Sequence, residues 1–443
     1  MSDLPEGWAG TTIGEICDLV NGKAFKPSDW SAAGLPIVRI QNLNRPDTKF
    51  NHFDGAVGER FLIEDGDLLF AWSGTPGTSF GAHIWNGPKA VLNQHIFNVR
   101  FDRNAIDRNF LRHAINQTLD EQIAKAHGGV GLRHVTKGKF EETGVPIPPF
   151  AEQRRIVAKI DSLTGKSRRA RDHLDHIPRL VEKYKQAILA AAFRGDLTRE
   201  WRSQVSKGEM AWETHELGNI ADIGTGATPK RGRAAYFEGG TIAWVTSGAV
   251  NQGIVMHADE YITPAAIRET NCKVYPAGTL LMAMYGEGKT RGKVASLGIE
   301  AATNQALASI KVHPQGPAET NFVLWYLRSQ YLNLREQAAG GVQPNLNLGI
   351  IKRTSIGLPS SSEQKEIVRR IEAAFTWIER LTVDATSAHK LINRLDQSVL
   401  AKAFRGQLVP QDPADEPATA LLERIRAERA AAPKAKRGRK MAA

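Results

Sequence analysis

The sequence predicts an α/β (α+β) protein made by tandem duplication. Each half is a mixed α/β globe followed by a long helix, and the two helices pair as an antiparallel coiled coil. Three observations carry this. Glu152 to Leu197 recurs without a gap at Glu363 to Leu408, with fifteen of 46 positions identical and clustered at the two ends. Apolar residues inside each copy recur with a seven-residue period. Small signatures recur in the same order ahead of each copy. A long repeat with two fixed ends implies two copies of one structural unit.

The helices come first because their pattern is the clearest. Each copy opens on Glu-Gln followed by Ile-Val (Glu152, Gln153, Ile156, Val157; Glu363, Gln364, Ile367, Val368) and closes on Ala-Phe-Arg-Gly-x-Leu. In the second copy Ile371, Ile378, Ala385, Ile392 and Val399 form one seam line, with Ala374, Leu381, Ala388 and Leu395 three residues further on. The first copy offers Ile160, Leu174, Val181 and Ile188 against Leu163, Ala170, Ile177 and Tyr184. An a/d seam over four heptads among charged residues is the coiled-coil pattern. It predicts helices of roughly 38 residues, about 57 Å long at 1.5 Å per residue. Ser167 falls at a seam position, and Pro178 is expected to kink or break the first helix, because its ring clashes with the preceding turn and it lacks an N–H.

The globes are read from strand-like runs punctuated by glycine and proline. In residues 1–150 these are Ile37 to Ile40, Asp67 to Phe70 and His95 to Val99, with a helix expected from Phe110 to Lys125 ending at Gly128-Gly129. Residues 212–359 repeat the order. Trp8, Ile13-Gly14, Asp18 and Gly22 are matched by Trp212, Leu217-Gly218, Asp222 and Gly226; Gly66-x-Leu68-Leu69-x-Ala71 by Gly278-x-Leu280-Leu281-x-Ala283; Asn93-Gln94 by Asn304-Gln305. The expected organisation is a first globe at 1–150, a central helix at 151–197, a polar linker at 198–211, a second globe at 212–359, a distal helix at 360–408, and a short helix with a basic tail at 409–443. Lys434, Lys436, Arg437, Arg439 and Lys440 form that tail, which is expected to be disordered.

Composition excludes several classes. The chain has no apolar run near the length of a membrane span and no visible secretory signal. Cys17 and Cys272 are too far apart in sequence to suggest a disulfide framework or metal spacing, so a reducing cytoplasm is expected. The formal charge of +11 is uneven: residues 1–150 carry −2, 151–209 +6, 210–357 +2 and 358–443 +5. A basic chain with a pI near 9.6 points towards nucleic acid, although an uneven helix surface alone would give the same total.

At this point the chain resembles the specificity subunits of type I restriction-modification enzymes along essentially its whole length. The paired helix starts and ends carry the likeness. So does the run Gly226-Ala227-Thr228-Pro229, Tyr236-Phe237, Gly240 and Ile242 to Gly248, with Leu280, Met282, Tyr285-Gly286 and Gly292 to Ala295 behind it. The first globe departs more, with Trp72-Ser73-Gly74-Thr75 in place of the Tyr-Gly loop and no Thr-Pro after Gly22. The resemblance implies a non-catalytic subunit whose two target recognition domains each read half of a bipartite site on double-stranded DNA. It implies helices that act as a ruler and dock two modification subunits, with two motor-nuclease subunits in some complexes. S-adenosylmethionine, ATP and Mg would belong to those partners, leaving this chain with no cofactor and no metal.

No complete catalytic or nucleotide-binding motif is visible in the sequence. Ile147-Pro148-Pro149-Phe150 is like an amino-methyltransferase loop, but Ile147 cannot hold an amine; Gly288-Lys289-Thr290 ends like a phosphate loop but lacks its first glycine. Reading DNA needs Arg or Lys for guanine and phosphate and Asn or Gln for adenine. In the first globe the candidates are Lys23, Lys26, Arg39, Gln41, Asn42, Asn44, Arg133, His134 and Lys137. In the second they are Thr228, Lys230, Arg231, Arg233, Thr246, Ser247, Lys289, Arg291, Lys293, Gln343, Asn345 and Asn347. Partner docking is assigned to Glu152, Gln153, Phe193, Arg194, Gly195, Glu363, Gln364, Phe404, Arg405 and Gly406, because ends that served packing alone would be free to vary. The competing reading is a coiled-coil scaffold with ligand-binding end domains.

Overall fold

The computed structural model describes residues 4–44, 48–74, 80–118, 133–205, 211–285, 289–339 and 345–431. The chain divides into two compact units. One is Met1–Leu174 with Ser387–Ala443, and the other is Asp175–Thr386.

In the first unit, two four-stranded sheets form the globe. One has the order Asp18–Asn21, Ile96–Arg100, Leu68–Ala71, Gly81–Ile84, all antiparallel. The other runs Asn51–Phe53, Leu35–Val38, Ala90–Leu92, Leu62–Ile63, with one parallel pair. Leu68–Ala71 is buried at every position, as a strand covered on both faces should be. A short antiparallel pair, Ala9–Thr12 with Gly144–Ile147, brings the two ends of the globe together and delivers the chain into the central helix.

Alone, the second unit repeats this plan. Its sheets run Ala221–Thr225, Leu307–Val312, Leu280–Ala283, Val294–Leu297, Ile254–Val255 and Glu260–Ile262, Ile242–Val245, Ala301–Thr303, Val274–Tyr275. Glu213–Glu216 pairs with Ser355–Leu358 as the counterpart of the closing pair. The helix expected over 110–125 is observed as Arg108–Gln117, N-capped by Asp107, and its counterpart is Thr320–Ser329. The rest of that expected helix and the basic tail lie outside the described residues. The run at Ile37 is strand only to Val38, after which Ile40–Asn44 turns into helix.

The long helices are Phe150–Phe193 and Ser361–Ala403, 44 and 43 residues. Pro178 lies inside the first without ending it. A proline costs one backbone bond and a local clash, about 3 kcal/mol; the adjoining turns keep their own bonds, and Ile177 and Val181 beside it are half-buried. Within the first unit, Ile156, Val157 and Ile160 share a core with Val399 and Ala403, and Arg171 pairs with Asp396 and Asn393. Within the second, Leu189 and Ala192 share a core with Ile367, Val368 and Ile371, and Lys185 lies over Phe375. Partner numbers fall as helix numbers rise, so the helices run antiparallel in each unit.

One seam line is where the period places it, and Ser167 is buried there. The other holds at Leu163, Ala170 and Ile177 of the first helix, but in the second it shifts by one residue around Leu381 and Leu395. The inward positions are Phe375, Thr382, His389 and Asp396, four residues after each first-line residue. Leu381 and Leu395 are 40% and 54% exposed, and Tyr184 is 64% exposed. Spacings of three and four alternate equally in a heptad, so the choice between them rests on packing at the cores. Here Phe375 meets Trp325 edge-on at 4.8 Å and draws the seam to its own line.

Residues 198–211 do more than link. Thr198 is fully buried and Arg199–Val205 is helical. The C-terminal helix Ala418–Ala431 places Ala418, Leu421, Leu422 and Ile425 in the core of the first globe, with Arg429 on Asp18.

Candidate nucleic-acid interface and helix-end sites

The candidate readers sit on loops at the ends of sheet strands, and backbone bonds tie those loops together. In the first globe, Lys23 N–H donates to Leu92 O at 2.8 Å, Asn93 to Val38 O at 3.0 Å, Trp72 to His95 O at 3.3 Å and Val135 to Trp72 O at 3.1 Å. Bonds at the matching positions recur in the second: Ala227 to Thr303 O, Asn304 to Val245 O, Met284 to Ala306 O and Leu346 to Met284 O, all between 2.9 and 3.2 Å. Five loops are thereby gathered at one end of each globe. Gly22 and Gly226 make the approach possible, since a Cβ on them would lie 2.2 Å from Asn93 O and 1.7 Å from Thr303 O. That is why both halves carry glycine there.

Within these clusters the side chains sort by what already engages them. Lys26, Gln41, Lys230 and Lys289 are exposed, and Thr246, Ser247 and Asn345 are half-buried on the same loops. Asn42 is corrected: it is 4% exposed, its Oδ1 accepts from Arg39 N and its Nδ2 donates to Thr48 O, so it holds its own loop. Asn347 N-caps the helix Leu348–Lys352 by accepting from Ile350 N, as Thr136 caps Lys137–Glu141, so part of its amide's capacity is already used. Arg231 gives both terminal nitrogens to Glu260 over the Trp244 ring, and Arg233 contacts Glu269 and Tyr236. Lys137 donates to Leu19 O, Lys293 to Asn251 Oδ1 and Thr228 to Gln305 Oε1. These five brace the loops, and each would bring to DNA only the hydrogen-bonding capacity its present partner leaves over. Lys23 sits over Phe25 and Phe53, and Arg39 lies beside Trp30. Arg291 is half-buried. The side chains of Asn44, Arg133 and His134, and all of Gln343, lie outside the described residues.

Sequence reasoning passed over Gln94, His95 and Gln305, which occupy the turn where three of the bonded loops meet. The repeated Asn-Gln pair was the signal. Its asparagine N–H groups close the turn; the glutamines carry amides of the type that reads adenine, with Gln305 Oε1 already accepting from Thr228 and Gln94 Nε2 beside His95 Nε2.

The helix ends need a larger correction. Glu152, Gln153, Glu363 and Gln364 are at most 4% exposed and cannot form a docking surface. Gln153 Oε1 accepts from Asp107 N at 2.8 Å, and its Nε2 donates to Ala105 O and Pro148 O. Gln364 does the same with Glu319 N, Pro317 O and Pro359 O. Each glutamine thus locks its helix to the globe before it. Trp8 Nε1 donates to Glu152 at 3.1 Å; the other Glu152 oxygen is buried without a partner, and burial pushes this carboxyl above the usual range. Glu363 instead accepts from Thr198 and twice from Arg202, at 2.7–3.0 Å.

At the other ends, Gly195 and Gly406 have φ of +80° and +69°. Asp196 N–H donates to Ala191 O and Gly195 to Ala192 O, while Gln407 donates to Lys402 O and Gly406 to Ala403 O, so both helices end in the same Schellman motif. Phe193 packs on Phe322 and Tyr326 of the second globe, and Phe404 on Phe110 of the first. Phe110 and Phe322 are equivalent positions. Each end motif therefore docks on the globe of the opposite repeat, and that contact explains why the ends are alike. Arg194 and Arg405 are exposed in both copies of the motif.

A family model described as the type I restriction modification DNA specificity domain matches residues 5–173 and again 209–382. The chain belongs to this family. The specificity subunits of two Escherichia coli type I restriction enzymes, EcoBI and EcoKI, are 27% and 26% identical; each alignment covers 99% of this chain, with 95% and 98% of the relatives. Among solved structures, the fold is shared with an HsdS subunit from Thermoanaerobacter tengcongensis, at a TM-score of 0.63 and 21% identity over 92% of this chain and 98% of that one. As a type I specificity subunit the chain carries two target recognition domains, and the scaffold reading is not favoured. Ile147-Pro148 has a plain role in this frame: Ile147 is buried in the closing strand, and Pro148 O accepts from Gln153. No helix among the described residues is long and apolar enough to cross a membrane.

Proposed function

We propose that each target recognition domain of this specificity subunit reads one half of a bipartite site on double-stranded DNA, without catalysing a reaction itself. The observation that supports this most directly is the five-loop cluster, built twice by the same backbone bonds around different side chains. Equal scaffolds with unequal surfaces are what two readers of unlike half-sites require. The helix pair then sets the spacer between half-sites, expected at about one turn of DNA, 10–10.5 bp. Two adenine-methyltransferase subunits, carrying S-adenosylmethionine, dock along the helices; motor-nuclease subunits using ATP and Mg are further candidates, and the setting is the cytoplasm. Trp377, Leu381, Leu391 and Leu395 of the distal helix are exposed, apolar surface of a kind that suits a protein partner. With recognition domains near neutral overall, phosphate attraction is weak and tight binding calls for the methyltransferases.

Exchanging residues 1–150 for those of another specificity subunit, followed by mapping of methylated adenines, tests the reading. One half-site should change while the other and the spacer persist. A change in both halves would refute it, as would nanomolar, sequence-specific binding by the isolated chain for the claim about partners.

A further inference from the structure

In the second globe, residues 289–293, which lead into Val294–Leu297, are held from outside by one short helix. Tyr331 Oη donates to Lys289 O at 2.8 Å, and Arg335 Nη1 donates to Arg291 O at 3.0 Å. The Arg335 guanidinium lies over the Tyr331 ring, 5.4 Å from its centre, so the two donors also brace each other. Gly292, at φ +83°, donates back to Ala283 O at 2.8 Å and closes the turn. A Cβ there would lie in ordinary van der Waals contact with Arg335 Cγ and Tyr331 Cδ2, at 3.4 and 3.5 Å, so the clamp packs against this glycine. Both bonds go to backbone carbonyls. They fix where the turn sits and leave Lys289 exposed.

We propose that Tyr331 and Arg335 are positioning residues for DNA recognition by the second domain, holding the Lys289–Lys293 turn where its cations meet the DNA of that half-site. This rests on the DNA-reading function proposed above. Two features argue against simple fold maintenance. The helix Tyr331–Ala339 buries Leu334 alone among its described large apolar side chains and leaves Leu332 58% exposed, so its core contribution is small. In the first half, Leu119 and Ile123 stand at the corresponding sequence positions and cannot donate such bonds. Fixing a cationic turn before binding lowers the ordering cost that contact would otherwise incur, and that cost weighs on discrimination between close sequences.

The test uses the full chain assembled with its methyltransferase subunits, after the wild-type target has been mapped. Methylation kcat/KM is compared for the target duplex and for duplexes with one base pair changed in either half-site. Tyr331→Phe keeps the ring and removes only the hydroxyl; Arg335→Met removes the guanidinium, and Arg335→Lys returns one donor. The double variant should lose about tenfold of its discrimination at the second half-site and none at the first. Arg335→Lys should recover part of the loss, and the melting temperature of Tyr331→Phe should stay within a degree or two of wild type. Undiminished discrimination, or equal loss at both half-sites, would overturn the proposal. A wild-type complex that methylates no two-part target would overturn the underlying function and the clamp with it, and that result is visible before any variant is made.

Discussion

Gln153→Leu is the sharpest test of what the Glu-Gln motif does. The side chain makes three bonds to backbone groups, accepting from Asp107 N and donating to Ala105 O and Pro148 O. Leucine is close in size but makes none of them. Each buried backbone group left unmet costs about 1–3 kcal/mol, against about 1 kcal/mol regained from the extra apolar surface. The net loss is then about 5 kcal/mol, an order-of-magnitude figure, and the first unit should melt roughly 10–20 °C lower at 2–4 °C per kcal/mol for a unit of this size. Gln364→Leu should do the same to the second unit through Glu319 N, Pro317 O and Pro359 O. Calorimetry gives the shift, and hydrogen exchange gives the address: Asp107 N–H should lose protection in Gln153→Leu and keep it in Gln364→Leu. A variant with unchanged melting and unchanged exchange at Asp107 that fails to bind methyltransferase subunits would refute the argument and restore this glutamine as a docking residue.

Other outcomes follow from the same geometry. Gly406→Ala should cost more than Gly195→Ala. Both force a side chain to positive φ at about 1–2 kcal/mol, but a Cβ on Gly406 also meets the rigid Pro5 ring at 2.4 Å, whereas at Gly195 it meets the movable end of Arg202; urea titration reads the difference. Glu152→Gln should remove a pH dependence. The folded carboxyl titrates above its unfolded value, so its contribution is most favourable below the unfolded pKa and is lost as pH rises through the folded one. The variant should gain on wild type from pH 4 to 8, and a constant difference across that range would count against the buried, half-satisfied carboxyl. Glu366 has the opposite sign, held down to about 2 by Arg369 and Arg370, so its contribution persists above the unfolded carboxylate pKa and fades only as pH falls towards 2; Glu366→Gln melting curves should converge with wild type there. Arg194→Glu or Arg405→Glu should weaken methyltransferase assembly with little change in melting, since both arginines are exposed; intact assembly would remove them as docking residues.

Much of this fold was legible in the sequence because duplication doubles the signal. Gly22 and Gly226 stand out only through each other, and the structure gives both one reason, the close passage of a carbonyl. The long helices were legible from their period, yet the second seam line was not, because Leu381 and Leu395 satisfy a heptad as well as Phe375 and Asp396 do. Hydrophobicity favoured the leucines, whereas contacts with Trp325 and Arg171, remote in sequence, favoured the others. For the same reason, loop polarity could nominate Asn42, Arg231 and Asn347 but could not show that each is already engaged by a neighbour. A side chain's remaining hydrogen-bonding capacity is a tertiary property, and composition does not report it.

In the sequence alone, the likeness of the helix ends reads as the mark of one outside partner met twice. The packing supports the repetition and changes the partner. Phe404 needs Phe110, and Phe193 needs Phe322, so each end must suit a surface that is itself duplicated. A substitution in one end motif would be matched to one globe only, and Gly195, Gly406, Ala192 and Ala403 leave little room for any, being fixed by helix termination or complete burial. What the globes present on their loops is under no such constraint. The chain therefore divides into ends that must stay alike to close two units and loops that are free to differ. A protein built to read two unlike DNA sequences on one repeated frame needs that division.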